Sequence, residues 1–201
     1  MRSKSRHSRV DSDSSPKGDD PLFFYMPNAK WGEFCQWFPC TFTVSKGEIA
    51  AILRGNDGIS IGEAGGGGGV ITFNCAEQFM MYCKASCFHD FASQTRILAT
   101  ASSKEQKAFG KTIQGFDDEI WDRVKSNVVL AGNIAKFSQN RHLKNVLVGT
   151  GDRLLVEAAS KDRVWGIGYT EKHAMNFRQH WGENRLGYAL MKTRQHLRNE
   201  V

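Results

Sequence analysis

The sequence contains no apolar run near the length of about 18 residues that a membrane-spanning helix needs. Its basic N-terminal stretch is followed by no apolar segment, so the pattern of a secretory signal peptide is missing too. We therefore expect an intracellular protein, cytoplasmic or nuclear, with no membrane partner.

A regular cysteine framework is also lacking. The number of cysteines is odd and their spacing is irregular: Cys35, Cys40, Cys75, Cys83 and Cys87. This argues against a disulfide-stapled secreted domain. Cys83 and Cys87, with His89 nearby, could be part of a zinc site, but no second Cys/His pair has the expected spacing. We interpret the cysteines as buried free thiols and expect no metal or other cofactor.

A phosphate-binding loop is absent as well. Residues 54–69 end in five consecutive glycines, but the pattern G-x-x-x-x-G-K-[ST] does not occur. The next predicted element is a strand at residues 70–73. We therefore interpret 54–69 as a flexible hairpin insertion that carries no chemistry.

What the sequence does contain is an ordinary globular composition with excess positive charge. The 201 residues are 40% hydrophobic and 11% aromatic, which suits one domain. Lysine and arginine number 27 against 21 acidic residues, giving a net charge of +6, which favours a nucleotide or nucleic acid as partner. Residues 1–21 are Ser-rich with a single hydrophobe, Val10, after the initiator Met, so we predict a disordered tail before a domain at 22–201.

Apolar periodicity and turn signals predict short strands and longer helices. The strands are expected at residues 22–26, 41–44, 70–73 and 154–158, with a turn at 45–47. Helices are expected at 74–85, 89–100, 118–139 and 141–148, and after Asn184. Ser102 and Glu105 have capping-box spacing and predict a further short helix towards Lys111.

The predicted helix 74–85 holds the most informative pair of charges. Glu77, Met81, Lys84 and Phe88 share one helical face, at steps of four, three and four. Glu77 and Lys84 are two turns apart, about 10 Å along the axis, which suits contacts with two parts of one ligand. An unpaired buried charge is costly, so such a pair often marks a site. The alternative is that both charges lie on a solvated face.

Two further stretches carry candidate ligand contacts. Residues 30–39 gather Trp31, Phe34, Trp37 and Phe38 in an irregular loop, where such rings can stack against a base or fill the core, and Phe34 is the candidate ligand contact. Trp165 is followed by Gly166 and Gly168, which flank an apolar residue and allow the backbone to approach a ligand closely.

Single residues elsewhere have two interpretations each. Trp121 lies on the apolar stripe of helix 118–139 and can pack in the core or contact a ligand. Asp162 can bind a ribose hydroxyl or cap a turn. Asn184 can cap the last helix or orient a phosphate or sugar at its N-terminal end. Glu157, on an apolar strand, can be a second site carboxylate or the partner of an arginine.

The order of these motifs is more informative than any one of them. From N- to C-terminus the chain has Glu77 to Lys84, Ala108-Phe109-Gly110-Lys111, Trp121, Lys136-Phe137, Leu143 with Leu147, Thr150-Gly151, Leu155-Val156-Glu157, Asp162, Trp165-Gly166-Ile167-Gly168 and Gly182-x-Asn184-x-Leu186-Gly187-x-x-Leu190-Met191. This series resembles the NADAR family, which is associated with NAD and ADP-ribose metabolism and includes the bacterial YbiA-like N-glycosidases. The resemblance spans residues 22–199.

The resemblance implies a single α+β, mainly helical YbiA-like domain that cleaves N-glycosidic bonds of ribose. Glu77 and Lys84 match the acid and the lysine of the family, and Trp121, Asp162, Trp165 and Asn184 match further pocket positions. Two stretches depart from the family pattern. Phe34-Cys35-Gln36-Trp37 replaces Phe-Ser-Asn-Phe, where Gln36 can still supply an amide with a longer reach. Glu77-Gln78-Phe79-Met80 replaces Glu-His-Tyr-Phe.

The activity that the resemblance implies is removal of ADP-ribose from guanine in DNA, RNA or guanosine nucleotides. Glu77 would then act as acid or base, and Lys84 as a Schiff-base nucleophile or a simple phosphate or hydroxyl contact. Two alternatives remain open: cleavage of phosphoribosyl-pyrimidine intermediates of riboflavin synthesis, and binding of ADP-ribose without turnover. Nothing in the sequence pattern predicts an oligomeric state.

Overall fold

The computed structural model describes residues 20–54 and 69–199. Eight α-helices lie within these ranges: α1 Lys46–Leu53, α2 Ala76–Cys87, α3 Phe91–Ala99, α4 Ser103–Gly110, α5 Asp118–Ser138, α6 Arg141–Val148, α7 Glu171–Ala174 and α8 Arg185–Asn199. The α+β, mainly helical class expected from the family resemblance is confirmed. The predicted tail 1–21 and the predicted insertion 54–69 lie almost entirely outside the described residues.

The strands of the described residues form two small sheets. In one, β1 (Leu22–Phe24) runs parallel to β4 (Leu155–Glu157), with Phe24 opposite Glu157. In the other, β2 (Phe42–Ser45) runs antiparallel to β3 (Val70–Phe73). Because β1 and β4 are parallel, their carboxyl ends lie at the same edge of the sheet. The segments that follow them, beginning with Tyr25 and Ala158, therefore emerge side by side.

Helix α5 is the central packing element. It contacts α1, α2, α6 and α8, and its predicted apolar stripe from Trp121 to Ala135 is buried. Gly132 permits the close crossing with α2, because a Cβ at this position would lie 2.6 Å from the ring of Phe79. Phe79 in turn meets Phe73 edge-on, with ring centroids 5.1 Å apart, and so joins the β2–β3 sheet to the same core.

Helix ends follow local side-chain chemistry, and one prediction is wrong. The expected turn at 45–47 is the start of α1, where Ser45 and Glu48 form a reciprocal capping box. At α4, the Ser102 hydroxyl accepts from the Glu105 amide as predicted, at 3.3 Å. The Glu105 carboxylate, however, bonds the Thr100 hydroxyl, so only half of that box forms.

Two predicted boundaries shift for physical reasons. The helix expected from residue 89 begins at Phe91, because His89 is left-handed (φ 55°) and Asp90 caps the helix through Ser93. The strand expected at 22–26 ends at Phe24, which leaves Tyr25 and Met26 exposed. These two exposed residues lie beside the cavity described below.

The cysteines are free thiols, as predicted, and three of them are buried: Cys35, Cys75 and Cys83. Within 20–54 and 69–199, no three His, Cys, Asp or Glu side chains gather closely enough to hold a metal ion. None of the described helices is both long and apolar enough to cross a membrane.

Candidate active site

A cavity of about 450 Å³ opens where the carboxyl ends of β1 and β4 meet helices α2, α4 and α5. Its lining combines three acidic side chains, four lysines and four large aromatic rings. The residues are Tyr25, Met26, Cys35, Gln36, Trp37, Glu77, Met80, Met81, Lys84, Lys107, Gly110, Lys111, Trp121, Glu157, Ala159, Lys161, Asp162, Trp165 and Leu186. Six of the sequence-predicted site residues are among them: Gln36, Glu77, Lys84, Trp121, Asp162 and Trp165.

Glu77 lies in the first turn of α2 and is only 5% exposed. Its backbone amide donates to the carbonyl of Gln36 at 3.0 Å, which ties the helix start to the 35–37 loop. Burial raises the pKa of the Glu77 carboxyl, while the charge of Lys107 and a hydrogen bond from the Trp37 indole act in the opposite direction. The solvated-face interpretation of Glu77 is therefore wrong.

Lys84 lies two turns further along α2 and is half-buried. Its Nζ donates to the carbonyl oxygen of Gly110 at 2.8 Å and lies 3.9 Å from the centroid of the Phe116 ring. Burial lowers the pKa of the Lys84 amine, and the charge of Asp118 raises it. Gly110 lets the Met81 side chain pack between α4 and α2, since a Cβ at this position would lie 2.0 Å from the Met81 sulfur.

Glu157, the half-buried last residue of β4, adds a second carboxylate to the cavity. Its Oε2 is buried and has no hydrogen-bond partner among the described residues. Burial, followed by the charge of Asp162, raises the pKa of Glu157 to about 8. The sequence also suggested that Glu157 is the partner of an arginine. In the structure, Glu157 instead faces the cavity with Glu77 and Asp162.

Asn184 does not line the cavity but holds the strand that does. Its Oδ1 accepts from the Glu157 amide at 3.0 Å and its Nδ2 donates to the Leu155 carbonyl at 2.9 Å. Asn184 is left-handed (φ 51°), a conformation that Asn tolerates better than most residues. Gly187 lets α8 approach, because a Cβ there would lie 2.2 Å from the Leu155 oxygen.

Asp162 organises the turn that carries Trp165. Its Oδ1 accepts from the amides of Val164 and Trp165 at 2.9 and 2.8 Å, so the turn-capping interpretation is confirmed while the residue still faces the cavity. Gly166 and Gly168 lie outside the cavity lining. Gly166 allows close packing on β4, with a Cβ position 2.8 Å from the Glu157 oxygen, and Gly168 has φ +76°.

The aromatic candidates divide between the cavity and the core. Trp121 belongs to both, because it is buried in the core and also lines the cavity. Phe34 lies in the core instead, fully buried and edge-on to Phe24 with ring centroids 5.7 Å apart. Its neighbour Trp37 lines the cavity, and the sequence interpretation did not single it out.

Two side chains of α5 hold the loop that bears Gln36 and Trp37. Lys136, fully buried, donates from Nζ to the carbonyls of Glu33 and Cys35 at 2.7 and 3.0 Å. Asn133 donates to the side-chain oxygen of Gln36 at 3.3 Å. Burial lowers the pKa of the Lys136 amine, and its role here is to fix the loop.

Gln78, at the position where the family pattern has histidine, has a structural role in this chain. Its amide nitrogen donates to the Ile97 carbonyl at 2.9 Å and its side-chain oxygen accepts from the Asn74 amide at 2.8 Å. The side chain is buried and is absent from the cavity lining.

The charges of the cavity are separated by depth. Lys107, Lys111 and Lys161 are exposed, whereas Glu77 is buried and the Oε2 atom of Glu157 is inaccessible to solvent. The sequence interpretation proposed none of these three lysines as a ligand contact. The exposed lysines can attract an anionic ligand to the outer part of the cavity. The carboxyl groups of Glu77 and Glu157 can then act on a bond of that ligand deeper in the cavity.

The family profile for the NADAR domain matches residues 23–198. The chain belongs to the NADAR family. Among its relatives, N-glycosidase R617 of Acanthamoeba polyphaga mimivirus is 35% identical over 88% of this chain and 96% of that protein. N-glycosidase YbiA of Shigella boydii is 38% identical over 58% of this chain and 67% of its own length.

Other NADAR relatives are more distant or larger. The riboflavin biosynthesis protein VVA0006 of Vibrio vulnificus is 25% identical over 91% of this chain, but the match spans only 40% of that protein. The NMR structure of E. coli YbiA aligns with a TM-score of 0.64 and 24% identity, covering 90% of this chain and 87% of that one. This likeness supports the NADAR fold.

Proposed function

We propose that this NADAR protein is an N-glycosidase that removes ADP-ribose from guanine in nucleic acid or guanosine nucleotides. The observation that carries the proposal is the meeting of Glu77, Lys84 and Trp165 in one cavity whose outer part is lined by exposed lysines. An N-glycosidase activity is further supported by relatives that bear this name, one of them matched over 96% of its length.

The carboxyl of Glu77 has the properties that cleavage of a ribosyl C–N bond requires. As the bond breaks, positive charge develops at C1 and the ring oxygen, and the departing nitrogen gains electrons. A carboxylate beside C1 stabilises that cation, and it can accept the proton of the attacking water. Glu77 is buried, so its charge acts in a medium where electrostatic effects are stronger than in water.

Lys84 supplies a second route through the same cavity. A free amine can attack C1 of the ring-opened sugar, forming a C–N bond to Lys84 as the bond to the base breaks. Water then hydrolyses the resulting imine and regenerates the lysine. The burial that lowers the pKa of Lys84 raises the fraction of free amine at neutral pH. The alternative role is a contact with a phosphate or hydroxyl group.

The remaining lining suits the two ends of an ADP-ribosylated base. Lys107, Lys111 and Lys161 offer positive charge for a diphosphate, and the indoles of Trp37 and Trp165 offer faces on which a purine can stack. Asp162 has a carboxylate in the same lining that can accept from a ribose hydroxyl.

A second candidate function is cleavage of phosphoribosyl-pyrimidine intermediates of riboflavin synthesis. The relative named as a riboflavin biosynthesis protein favours it, since its matched part covers 91% of this chain. We rank it second because a diphosphate can contact more of the three exposed lysines than a monophosphate can.

One experiment separates these possibilities. The full chain is incubated with an ADP-ribosylated guanine oligonucleotide and, separately, with a phosphoribosyl-pyrimidine intermediate, and products are followed by mass spectrometry. We expect release of the unmodified oligonucleotide and free ADP-ribose. Release from the pyrimidine substrate alone would favour the riboflavin function. Binding of ADP-ribose with no release from either substrate would identify a binding module and overturn the proposal.

A further inference from the structure

Glu157 is a half-buried residue with one carboxylate oxygen, Oε2, that the fold leaves buried and without a hydrogen-bond partner. Among the described residues, its Oε2 is the one carboxylate oxygen that is inaccessible to solvent and makes no hydrogen bond. Such a group is costly to bury, and the structure retains it beside Glu77 in the cavity. Because Glu157 also lines the cavity, a ligand bound there lies beside this carboxyl group.

The backbone that carries Glu157 is held on several sides. Its amide donates to Asn184, and its carbonyl accepts from the Ile167 amide at 3.0 Å. The next amide, of Ala158, donates to the Phe24 carbonyl at 2.8 Å. These hydrogen bonds fix the backbone position of Glu157. A side chain that must contact a reacting atom needs such a fixed position.

Glu77 and Glu157 have different electrostatic surroundings. Glu77 has two neighbours that stabilise its ionised form, the charge of Lys107 and the indole of Trp37, and the charge of Asp162 acts against them. Glu157 meets the negative charges of Asp162 and Glu77, and only Lys107 opposes them. The Cys35 thiol nearby has its pKa raised to about 11 by burial and is neutral. Burial raises the pKa of both carboxyl groups, and the balance of neighbouring charges favours a proton shared by the pair on Glu157.

We infer that Glu157 is the proton donor of the reaction, protonating the departing nitrogen of the base, while Glu77 acts as the ionised carboxylate. This inference rests on the proposed N-glycosidase function. It also implies that the preferred substrates have a base or amine nitrogen that must be protonated in order to leave.

The step balances in atoms and electrons. The C1–N bond breaks, its electron pair stays on the nitrogen, and the nitrogen takes the proton of the Glu157 carboxyl. In the direct route, the oxygen of water bonds to C1 and the water proton passes to Glu77. Transfer of that proton from Glu77 to Glu157 restores the starting state. In the route through Lys84, the C1–O bond of the ring opens as the proton of the substrate nitrogen moves to the ring oxygen, and the amine then adds across the resulting C1=N bond. The departing nitrogen takes the Glu157 proton as its bond to C1 breaks, while the remaining amine proton passes to Glu77. Water hydrolyses the imine to the aldehyde and the free amine, and transfer of the Glu77 proton to Glu157 restores the starting state.

The test is a pair of pH–rate profiles on the ADP-ribosylated guanine oligonucleotide, for wild type and Glu157→Gln. Wild-type kcat/KM should fall above about pH 8, as Glu157 of the free enzyme loses its proton. Glu157→Gln should lose about 10²–10⁴-fold in kcat, the usual contribution of a positioned acid, and its remaining activity should lack that alkaline decline. Its affinity for free ADP-ribose should change by less than about threefold. Glu119→Gln, an exposed residue at the start of α5, is the matched control and should leave kcat unchanged.

A second measurement covers the case in which Glu157→Gln does not fold. In wild type carrying ¹³C-labelled glutamate, one side-chain carboxyl resonance should titrate near pH 8. Titration of every glutamate near its ordinary pKa, or an active Glu157→Gln enzyme that keeps both its kcat and its alkaline decline, would overturn the assignment of Glu157 and leave the N-glycosidase function intact. A wild type that releases no product at any pH would overturn both.

Discussion

The side-chain amide of Asn184 connects both ends of a three-residue strand, accepting from the Glu157 amide at 3.0 Å and donating to the Leu155 carbonyl at 2.9 Å. Helix α8 begins at the next residue, Arg185. Asn184 thereby links the start of α8 to the strand that carries Glu157. Asn184 acts on the site through Glu157, as a positioning residue.

Replacing Asn184 should therefore destabilise the protein. Asn184→Ala leaves the Glu157 amide and the Leu155 carbonyl without their partner and puts Ala in a left-handed conformation, so we expect a loss of about 2–4 kcal/mol. Asn184→Gly removes the same hydrogen bonds but tolerates φ 51°. Urea unfolding should show the Gly variant to be the less destabilised of the two. Equal stability of Asn184→Ala and wild type would contradict this role.

Stability should depend on pH through Glu157. Its pKa rises from an ordinary 4.5 to about 8 in the folded state, so between these values the folded protein holds a proton that the unfolded chain has lost. The free energy of unfolding should therefore decrease as pH rises from 4.5 to 8, by an amount on the order of a few kcal/mol.

Glu157→Gln removes this titration and should flatten that part of the stability curve. Urea midpoints at several pH values measure the difference. Parallel curves for the variant and wild type would show that Glu157 does not hold its proton in the folded state.

Lys136 should contribute to stability without taking part in the chemistry. In Lys136→Met, the carbonyls of Glu33 and Cys35 lose their buried donor, and each unsatisfied group costs about 1–3 kcal/mol. The displaced loop should also raise KM, because it carries Gln36 and Trp37. Lys125→Met is a suitable control, since Lys125 pairs with Asp122 near the surface, where such pairs contribute about 0–1 kcal/mol. Equal effects of the two substitutions in urea unfolding would argue against the anchoring role.

Lys84 can be tested for covalent chemistry by borohydride reduction during turnover. Wild type should acquire a ribosyl adduct on the peptide that contains Lys84, and Lys84→Ala should acquire none. Lys84→Arg keeps a positive charge but cannot form an imine under these conditions, so the activity that passes through the Lys84 imine should be lost in it as in Lys84→Ala. An active Lys84→Arg enzyme with no trapped adduct in wild type would assign Lys84 a contact role.

Much of the fold was predictable because it depends on local patterns. The stripe of α5 follows helical periodicity, and Glu77 and Lys84 share a face of α2 because they are seven residues apart on a regular helix. Both residues do line one cavity. The capping of α4 by Ser102 also follows from adjacent residues.

The rest of the site depends on contacts between distant parts of the chain. Glu157 faces the cavity because β4 pairs with β1 in a register that sets it opposite Phe24, and the sequence of neither strand specifies that pairing. The burial of Lys136 depends on a loop about a hundred residues earlier, whose carbonyls replace the water around its amine. Phe34 and Trp37 share one aromatic loop, and only the packed structure shows which ring fills the core and which lines the cavity.

The proposed N-glycosidase activity is tested most directly by measuring the mass of an ADP-ribosylated guanine oligonucleotide after incubation with wild type and with Glu77→Gln. We predict that wild type restores the unmodified oligonucleotide and that Glu77→Gln does so at least about 10²-fold more slowly while still binding ADP-ribose. An oligonucleotide left unchanged by wild type, or equal rates for the two proteins, would contradict the account.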